Sequence, residues 1–139
     1  INERRLLGRA LGAGTGDVAG LTLLEANEIL NASIGLTSTA ASVAWNSDNG
    51  KNFTHTMSEA TTIAATSGTG MFDGQQVKFT FTQTAGGYVL SWNAEFVAGA
   101  DFADTIPANS TTSGDVDIYG FVWFPSPTAK WVLIAHITH

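Results

Sequence analysis

The chain has 139 residues, which is enough for one ordinary domain with a short appendage. Charged residues make up only 13% of the chain and the formal net charge is −6, a balance that argues against binding to a nucleic-acid backbone. Because the chain has no cysteine, disulfides, zinc–thiolate sites and a cysteine nucleophile are excluded.

A glycine-rich stretch lies near the start of the chain. Residues 14–19 read Gly-Thr-Gly-Asp-Val-Ala and fit the pattern of dinucleotide-binding loops. Such a loop follows an apolar strand and opens a helix, whereas here arginines precede it and Gly20 follows it. We therefore expect no nucleotide cofactor, and we predict that residues 4–20 form an irregular, closely packed connector whose glycines allow close approach of neighbouring chains.

One short helix is predicted after the connector. Thr22 and Glu25 form a capping-box pattern, and apolar residues follow at helical spacing (Leu23, Ala26 and Leu30). A helix of about nine residues is too short to be stable alone, so it must pack on the β domain or on copies of itself. Residues 1–36 are predicted to be an N-terminal connector that combines the glycine-rich loop with this helix.

The ends and the hydropathy of the chain give two further expectations. The chain opens on Ile1, so we expect a processed or partial chain of a longer protein. The charged N-terminus lacks the apolar segment of a signal peptide, and no apolar run approaches the length of a membrane span. We expect no membrane insertion.

Residues 37–139 predict an antiparallel β-sandwich that is jelly-roll-like and has about eight strands. Apolar and polar residues alternate through 53–57, 77–83 and 88–92, so one face of each strand should be buried. Gly86 and Gly87 lie between the last two of these segments and predict a hairpin turn. The fold class is therefore mainly β.

The last two predicted strands, 117–124 and 130–136, are apolar on both faces. A proline-containing turn at 125–129 joins them. Strands of this kind lie between layers or at a subunit interface, so in a domain of this size they favour oligomerisation.

The three histidines offer little catalytic signal. His136 and His139 are three residues apart and face opposite sides of one strand, so they cannot chelate a metal together. A metal on a symmetry axis, with one histidine from each subunit, is an alternative to buried or terminal histidines. Neither these residues nor His55 lies in a motif typical of a hydrolytic triad.

Acidic residues occur in two loose pairs, Asp101 with Asp104 and Asp115 with Asp117. Paired carboxylates can catalyse glycoside hydrolysis, and Asp115 and Asp117 share a face if a strand has already begun there. Solvated loops and the starts of strands give the same pattern more often. Residues 46–50 distantly resemble a calcium loop, but a turn is the favoured interpretation because no glutamate follows at the required spacing.

The tryptophans and the glycosylation sequons each have a functional and a structural interpretation. The four tryptophans can stack on sugar rings, although such residues more often lie in a core. They are Trp45, Trp92, Trp123 and Trp131. The Asn-x-Ser/Thr sequons at Asn31, Asn52 and Asn109 are attributed to chance in a chain rich in serine and threonine.

A series of short motifs runs nearly from end to end of the chain. Residues 5–27 contain a Leu-Leu-Gly-Arg segment with a glycine-rich turn. The elements that follow, in order, are Trp45-Asn46, Gly50 to Thr54, Thr62-Ile63, Gly74-Gln75, Gln83, Gly86-Gly87, Trp92 and Asp115 to Asp117. In this order and spacing the chain resembles tailed-bacteriophage fibre and appendage proteins, in which such a segment is often followed by a β domain. Residues 71–72 and 125–127 depart from the pattern.

The resemblance implies a virion structural protein in a tail fibre, tail tip or head fibre, made in the bacterial cytoplasm and assembled as a homotrimer. It implies no enzyme activity, no cofactor and no metal, and it carries over no receptor-binding residue. Its expected partners are other virion proteins and a glycan or protein of the host surface. A purely structural knob and a carbohydrate-binding module of a secreted bacterial protein are the alternatives, and a polysaccharide depolymerase ranks last.

Overall fold

The computed structural model describes residues 31–139 and the backbone of two short strands before them, β1 (Leu6–Leu7) and β2 (Gly20–Leu21). These strands pair antiparallel, with Leu6 opposite Leu21. The predicted connector thus contains a two-residue ladder that joins its two ends. Residues 1–5, 8–19 and 22–30, which include the glycine-rich loop and the helix predicted from Thr22, lie outside the described residues.

The chain divides into two compact units, residues 1–32 and residues 33–139. Residues 33–36, which the sequence analysis assigned to the connector, form a strand of the larger unit.

The larger unit contains ten strands, and their presence confirms the prediction of a mainly β protein. A short 3-10 turn, Ala100–Phe102, lies between the strand Phe96–Ala98 and the strand Val116–Phe124. In the part of the chain that the structure describes, no helix is long and apolar enough to cross a membrane. The strands are β3 (Ser33–Leu36), β4 (Ser38–Thr39), β5 (Ser42–Val43), β6 (Asn52–Met57), β7 (Thr61–Ile63), β8 (Gln76–Gln83), β9 (Leu90–Trp92), β10 (Phe96–Ala98), β11 (Val116–Phe124) and β12 (Lys130–Thr138).

These strands form two sheets, and the pairing within each is mixed. The six-stranded sheet has the order β10-β12-β11-β8-β6-β3, and the four-stranded sheet has the order β4-β5-β7-β9. Strand β11 is antiparallel to β8 and β12, but β3, β6 and β8 run parallel, as do β5, β7 and β9. The prediction of an antiparallel domain is therefore wrong.

Three of the parallel pairs, β5–β7, β6–β8 and β7–β9, have a simple cause. From β5 to β9 the chain crosses to the other sheet after every strand, so the next strand within a sheet starts again from the same end. The glycine turn after β8 leads into β9 of the other sheet, so the predicted hairpin there is also wrong. Gly86 and Gly87 do have positive φ angles, of 79° and 84°.

An aromatic core joins the two sheets face to face in a sandwich-like arrangement. Trp92 of the four-stranded sheet contacts Phe79, Phe81, Tyr119 and Phe121 of the six-stranded sheet, with ring centroids 4.9 to 5.8 Å apart. Ring contacts of this kind contribute stability beyond the apolar area that they bury. The jelly-roll-like description and the trimer stay predictions.

The predicted alternation is confirmed in β8, where every second residue from Val77 to Gln83 is buried. The last two predicted strands are also present, and the structure shows that β11 pairs antiparallel with β12. Its ladder contains a bulge at Ile134, since Phe121 lies opposite Leu133 whereas Gly120 lies opposite Ala135.

The bulge exchanges the two faces of β12. Before it, Trp131 and Leu133 point into the core and are buried. After it, His136 lies opposite Tyr119 and Thr138 lies opposite Asp117, so the polar end of β12 faces the inner side of β11. A buried polar cluster forms there.

We expect Gly86→Ala to destabilise the domain much more than Gly87→Ala. A Cβ atom on Gly86 would lie 2.7 Å from the Thr111 carbonyl oxygen, whereas one on Gly87 would meet nothing within 4 Å. In both variants the positive φ angle lowers the free energy of unfolding by about 1 kcal/mol. Only Gly86→Ala must also displace the backbone of residues 110–113, which lowers it by about 1–3 kcal/mol more. Urea denaturation measures both losses, and equal losses would show that this backbone moves aside freely.

Candidate functional site

The buried carboxylate of Asp117 is the centre of the polar cluster at the start of β11. Its side chain is 1% exposed. Oδ2 accepts a hydrogen bond from the Ser110 backbone amide at 2.8 Å. Oδ1 accepts from the Thr138 hydroxyl at 2.6 Å and lies 3.3 Å from His136 Nε2. One carboxylate therefore joins β11, the end of β12 and the loop before β11.

Two rings extend this cluster. Tyr119 stacks on His136 with ring centroids 4.4 Å apart, and its hydroxyl donates to the Pro107 carbonyl oxygen at 3.0 Å. Burial, and then the negative charge of Asp117, raise the pKa of Tyr119 above its ordinary value. The phenol is therefore held in its neutral, proton-donating form.

The geometry of this cluster differs from that of a catalytic triad. A triad histidine accepts the nucleophile's proton on one ring nitrogen while a carboxylate holds the other. Here His136 Nε2 faces both Asp117 and, at 3.5 Å, the Thr138 hydroxyl, and that hydroxyl donates to the carboxylate. The arrangement favours a structural role, in which Asp117 holds neighbouring segments together, over activation of the Thr138 hydroxyl as a nucleophile.

The predicted carboxylate pair converges on one loop residue. Asp115 lies just before β11, and its Oδ2 accepts from the Ser110 hydroxyl, while Asp117 accepts from the Ser110 amide. Both carboxylates thus hold the loop before β11. This arrangement favours the interpretation that the Asp115 and Asp117 pair marks the start of a strand over the interpretation as a catalytic pair. Asp101 and Asp104 lie at the 3-10 turn, where Asp104 has a left-handed φ of 56°.

We expect the free energy of unfolding to fall at alkaline pH because of Tyr119. The unfolded phenol ionises near pH 10, whereas the raised folded pKa keeps the proton on the folded protein. This stabilisation is complete below about pH 10 and is lost as the pH rises towards the folded pKa. Tyr119→Phe should be about 1 kcal/mol less stable than wild type near neutrality, and this difference should shrink towards about pH 11. A difference that stays constant in urea denaturation across that range would contradict the assignment.

The structure brings no two histidines together into a site. His55 is buried on β6 with Nδ1 3.0 Å from the Leu36 carbonyl oxygen, and His136 is engaged by Asp117. The terminal His139 is exposed and makes a backbone pair with Val116. Among the described residues, no group of three or more histidine, aspartate or glutamate side chains could hold a metal.

Residues 46–50 form a turn, as the favoured interpretation predicted. The Asn49 amide donates to the Asn46 carbonyl oxygen at 3.2 Å. Both carboxylate oxygens of Asp48 accept backbone amides, from Thr69 at 2.9 Å and from Gly70 at 3.0 Å. These oxygens therefore connect two loops by hydrogen bonds. In a calcium loop the same oxygens would be needed as ligands of the ion.

The tryptophans lie in the core. Trp45, Trp123 and Trp131 are at most 6% exposed, and the partly buried Trp92 packs among the core rings. This arrangement favours the structural interpretation over a tryptophan platform for sugars.

Two buried amides were not recognised from the sequence as structural residues. Asn109 Oδ1 accepts from the Leu90 amide at 2.8 Å, and its Nδ2 donates to the carbonyl oxygens of Tyr88 and Ser110. Gln83 Nε2 donates to the same two carbonyl oxygens. The available signal was Gln83 itself, a polar residue at an inward position of an alternating strand. The Asn109 side chain is 8% exposed and both ends of its amide form hydrogen bonds, so the asparagine of this sequon has a structural role.

The most extensive candidate surface is apolar. We call it the outer face, and define it as the outward side of β10, β11 and β12. The outer face presents Phe124, Ile134 and Ile137 at 44%, 50% and 57% exposure. Ile118 lies directly opposite Ile137. The other apolar residues on this side are Val97, Val132 and Ala135, together with Val122, which is buried. Contiguous patches of this kind mark interaction surfaces.

Charge is nearly absent from the outer face. The outward residues of β11 and β12 include one ionisable side chain, Lys130, whose Nζ donates to the Ala94 carbonyl oxygen at 2.6 Å. The neighbouring strand β8 instead presents Gln76, Lys78 and two threonines outward. The apolar surface is thus bordered by a polar strand, as is typical of a bounded interface.

Comparison of the chain with protein-family models, with curated proteins and with solved structures finds no match.

Proposed function

We propose that this chain is a virion structural protein of a tailed bacteriophage, assembled as a homotrimer in a tail fibre, tail tip or head fibre, where it contributes to attachment at the host surface. Two lines of support are independent of each other. One is the resemblance in the order and spacing of motifs along the sequence. The other is the outer face.

The outer face is the observation that carries the proposal. Water contacts three large apolar side chains on two adjacent strands, each 44% to 57% exposed. Burying this surface against copies of the same chain removes its apolar area from water, at about 25 cal/mol per Å². It also explains a chain with only 13% charged residues, because a large part of its surface would not need to be solvated.

A closed three-fold arrangement suits this surface. Rotational symmetry lets every copy bury the same patch and leaves none exposed to start an open polymer. It also lets the outward loops of three copies meet a surface at once, so weak contacts combine into avidity. Attachment would then depend on many low-affinity contacts.

Light scattering over a range of concentrations tests the assembly. We expect three times the chain mass of 14.6 kDa, and a monomer across the range would contradict the proposal. Competition with phage adsorption then tests the attachment role. A trimer that blocks adsorption supports receptor contact, and one that does not block it favours the structural knob.

The second candidate, a carbohydrate-binding module of a secreted bacterial protein, gives a different pair of results. Such a module would bind glycan as a monomer, so a monomer mass together with saturable sugar binding would favour it. A pocket lined by threonine and serine residues beside β3 and β6 is the observation that favours this candidate.

A further inference from the structure

A pocket of about 350 Å³ lies at the β3 edge of the six-stranded sheet. Small-ligand pockets begin at about 300 Å³, so it is large enough for a single sugar ring. Its walls come from β3, from the start of β4 and from β6 with the residue after it. The lining residues are Gly35, Leu36, Thr37, Ser38, Thr54, His55, Thr56 and Ser58.

The outward side of this edge is a notch in the sheet. Gly35 lies directly opposite Thr54 in the β3–β6 ladder, and Leu36 lies opposite His55. A Cβ atom on Gly35 would meet nothing within 4 Å. Because Phe53 and Met57 are buried, Thr54 and Thr56 project from the other side of β6. The missing side chain of Gly35 thus leaves space beside a row of hydroxyl groups.

His55 supports the pocket from the inner side of the sheet. It alternates with Thr54 and Thr56 on β6, and its ring is buried next to Phe81 on the core side. Its Nδ1 lies 3.0 Å from the Leu36 carbonyl oxygen, which can only accept, so Nδ1 carries the proton and donates it to β3. This hydrogen bond holds together the two strands that line the pocket.

The charge of the pocket restricts the ligand class. None of the lining residues is Lys, Arg, Asp or Glu, and the whole chain carries a net charge of −6. The nearby Glu59 accepts from Ser38 at 2.6 Å, which adds negative charge at the rim. An anionic sugar would meet no cation here, whereas each hydroxyl can donate and accept towards a neutral polyol.

We propose that this pocket binds a neutral hexose residue of a glycan through the hydroxyls of Thr37, Thr54, Thr56 and Ser58. The hexose hydroxyls exchange hydrogen bonds with these side chains, and the hydrogen bond of His55 to the Leu36 carbonyl oxygen holds β3 beside β6. The site goes beyond the proposed function, because it lies within one chain and does not depend on the trimer.

Amide chemical shifts during titration with D-glucose, D-galactose and D-mannose test the site in the full chain, with D-glucuronate as the anionic comparison. We expect saturable shifts centred on Thr54, Thr56 and His55 for at least one neutral hexose, and weaker binding of D-glucuronate. Thr54→Val with Thr56→Val keeps the branched shape and removes both hydroxyls, and should weaken binding at least about tenfold.

The matched control is Thr80→Val with Thr82→Val. These threonines lie directly opposite Thr54 and Thr56 in the β6–β8 ladder, but outside the pocket. The control should bind like wild type. Gly35→Val fills the notch without meeting a neighbouring atom at Cβ and should abolish binding, so it provides a second test if the threonine variant does not fold.

Three results would overturn the site: no saturable shift with any of the three hexoses, equal weakening in both threonine pairs, or shifts centred elsewhere on the molecule. Light scattering on the same samples separates this inference from the proposed assembly. A trimer that binds no hexose contradicts the site alone, and a monomer that binds hexose contradicts the assembly alone.

Discussion

Replacing Asp117 with alanine is expected to lower the free energy of unfolding by about 2–3 kcal/mol, the loss typical of leaving a buried donor without its acceptor. The side chain is 1% exposed and accepts from Ser110 and Thr138 while it faces His136. Alanine leaves the partly buried Ser110 amide without its acceptor and removes the contact with the partly buried His136, whereas the Thr138 hydroxyl is exposed and can turn to water. The loss should therefore exceed that of an ordinary surface change several-fold.

Asp115→Ala is the matched control, because it removes a second carboxylate that holds the same loop. Asp115 is only half-buried, and it accepts from the Ser110 hydroxyl, which can turn to water when the carboxylate is gone. We expect a loss of about 1 kcal/mol. Asp117→Asn should fall between wild type and Asp117→Ala, because the amide oxygen can still accept from the Ser110 amide while its NH2 donates to the Thr138 hydroxyl, which can also accept. Similar losses for Asp115→Ala and Asp117→Ala in urea denaturation would show that Asp117 is not the centre of the cluster.

The sequence predicted which side of each strand is buried better than it predicted the partner of each strand. In β8, alternation alone identified Val77, Phe79 and Phe81 as inward, because burial follows the two-residue period of a strand. Alternation carries no information about the sheet to which the next strand belongs. The glycine turn after Gln83 fits a hairpin and a crossing equally well, because both need positive φ angles. The parallel pairing was therefore missed.

The polar cluster was predictable only in part. Spacing singled out Asp115 and Asp117, but their function depends on Ser110 and on the end of β12. The bulge at Ile134 reverses the faces of β12, and strict alternation from Trp131 would have placed His136 outward. A one-residue insertion in a ladder leaves no regular mark in the sequence, so the contact of His136 with Asp117 could not be derived before the fold was known.

The outer face was the most accurately predicted surface. Its strands are apolar on both sides in the sequence, and the structure confirms that the outward side carries exposed Ile134 and Ile137. Local composition was sufficient because, in a strand that is apolar on both sides, the outward side is apolar whatever its register.

We expect Ile137→Glu to convert a trimer into a monomer that is still folded. Ile137 is 57% exposed in the single chain, so a glutamate there stays hydrated and should change the free energy of unfolding of the monomer by at most about 0.5 kcal/mol. In a trimer that buries the outer face, each copy would bring one carboxylate out of water next to Ile118, at several kcal/mol per charge. Three such charges about one axis also repel one another. Sedimentation velocity should show the mass of one chain with an unchanged far-ultraviolet circular dichroism spectrum.

Val89→Glu is the control that separates the location of the charge from its presence. Val89 is 53% exposed, close to the value for Ile137, and lies just before β9 of the other sheet. The two variants carry the same new charge, so a general effect of the added charge on association would appear equally in both. A trimer that survives Val89→Glu and dissociates in Ile137→Glu places the interface on the outer face. If Ile137→Glu remains trimeric, the interface lies elsewhere on the chain. If both variants dissociate, added negative charge alone is enough to separate the copies, because the net charge of the chain is already −6.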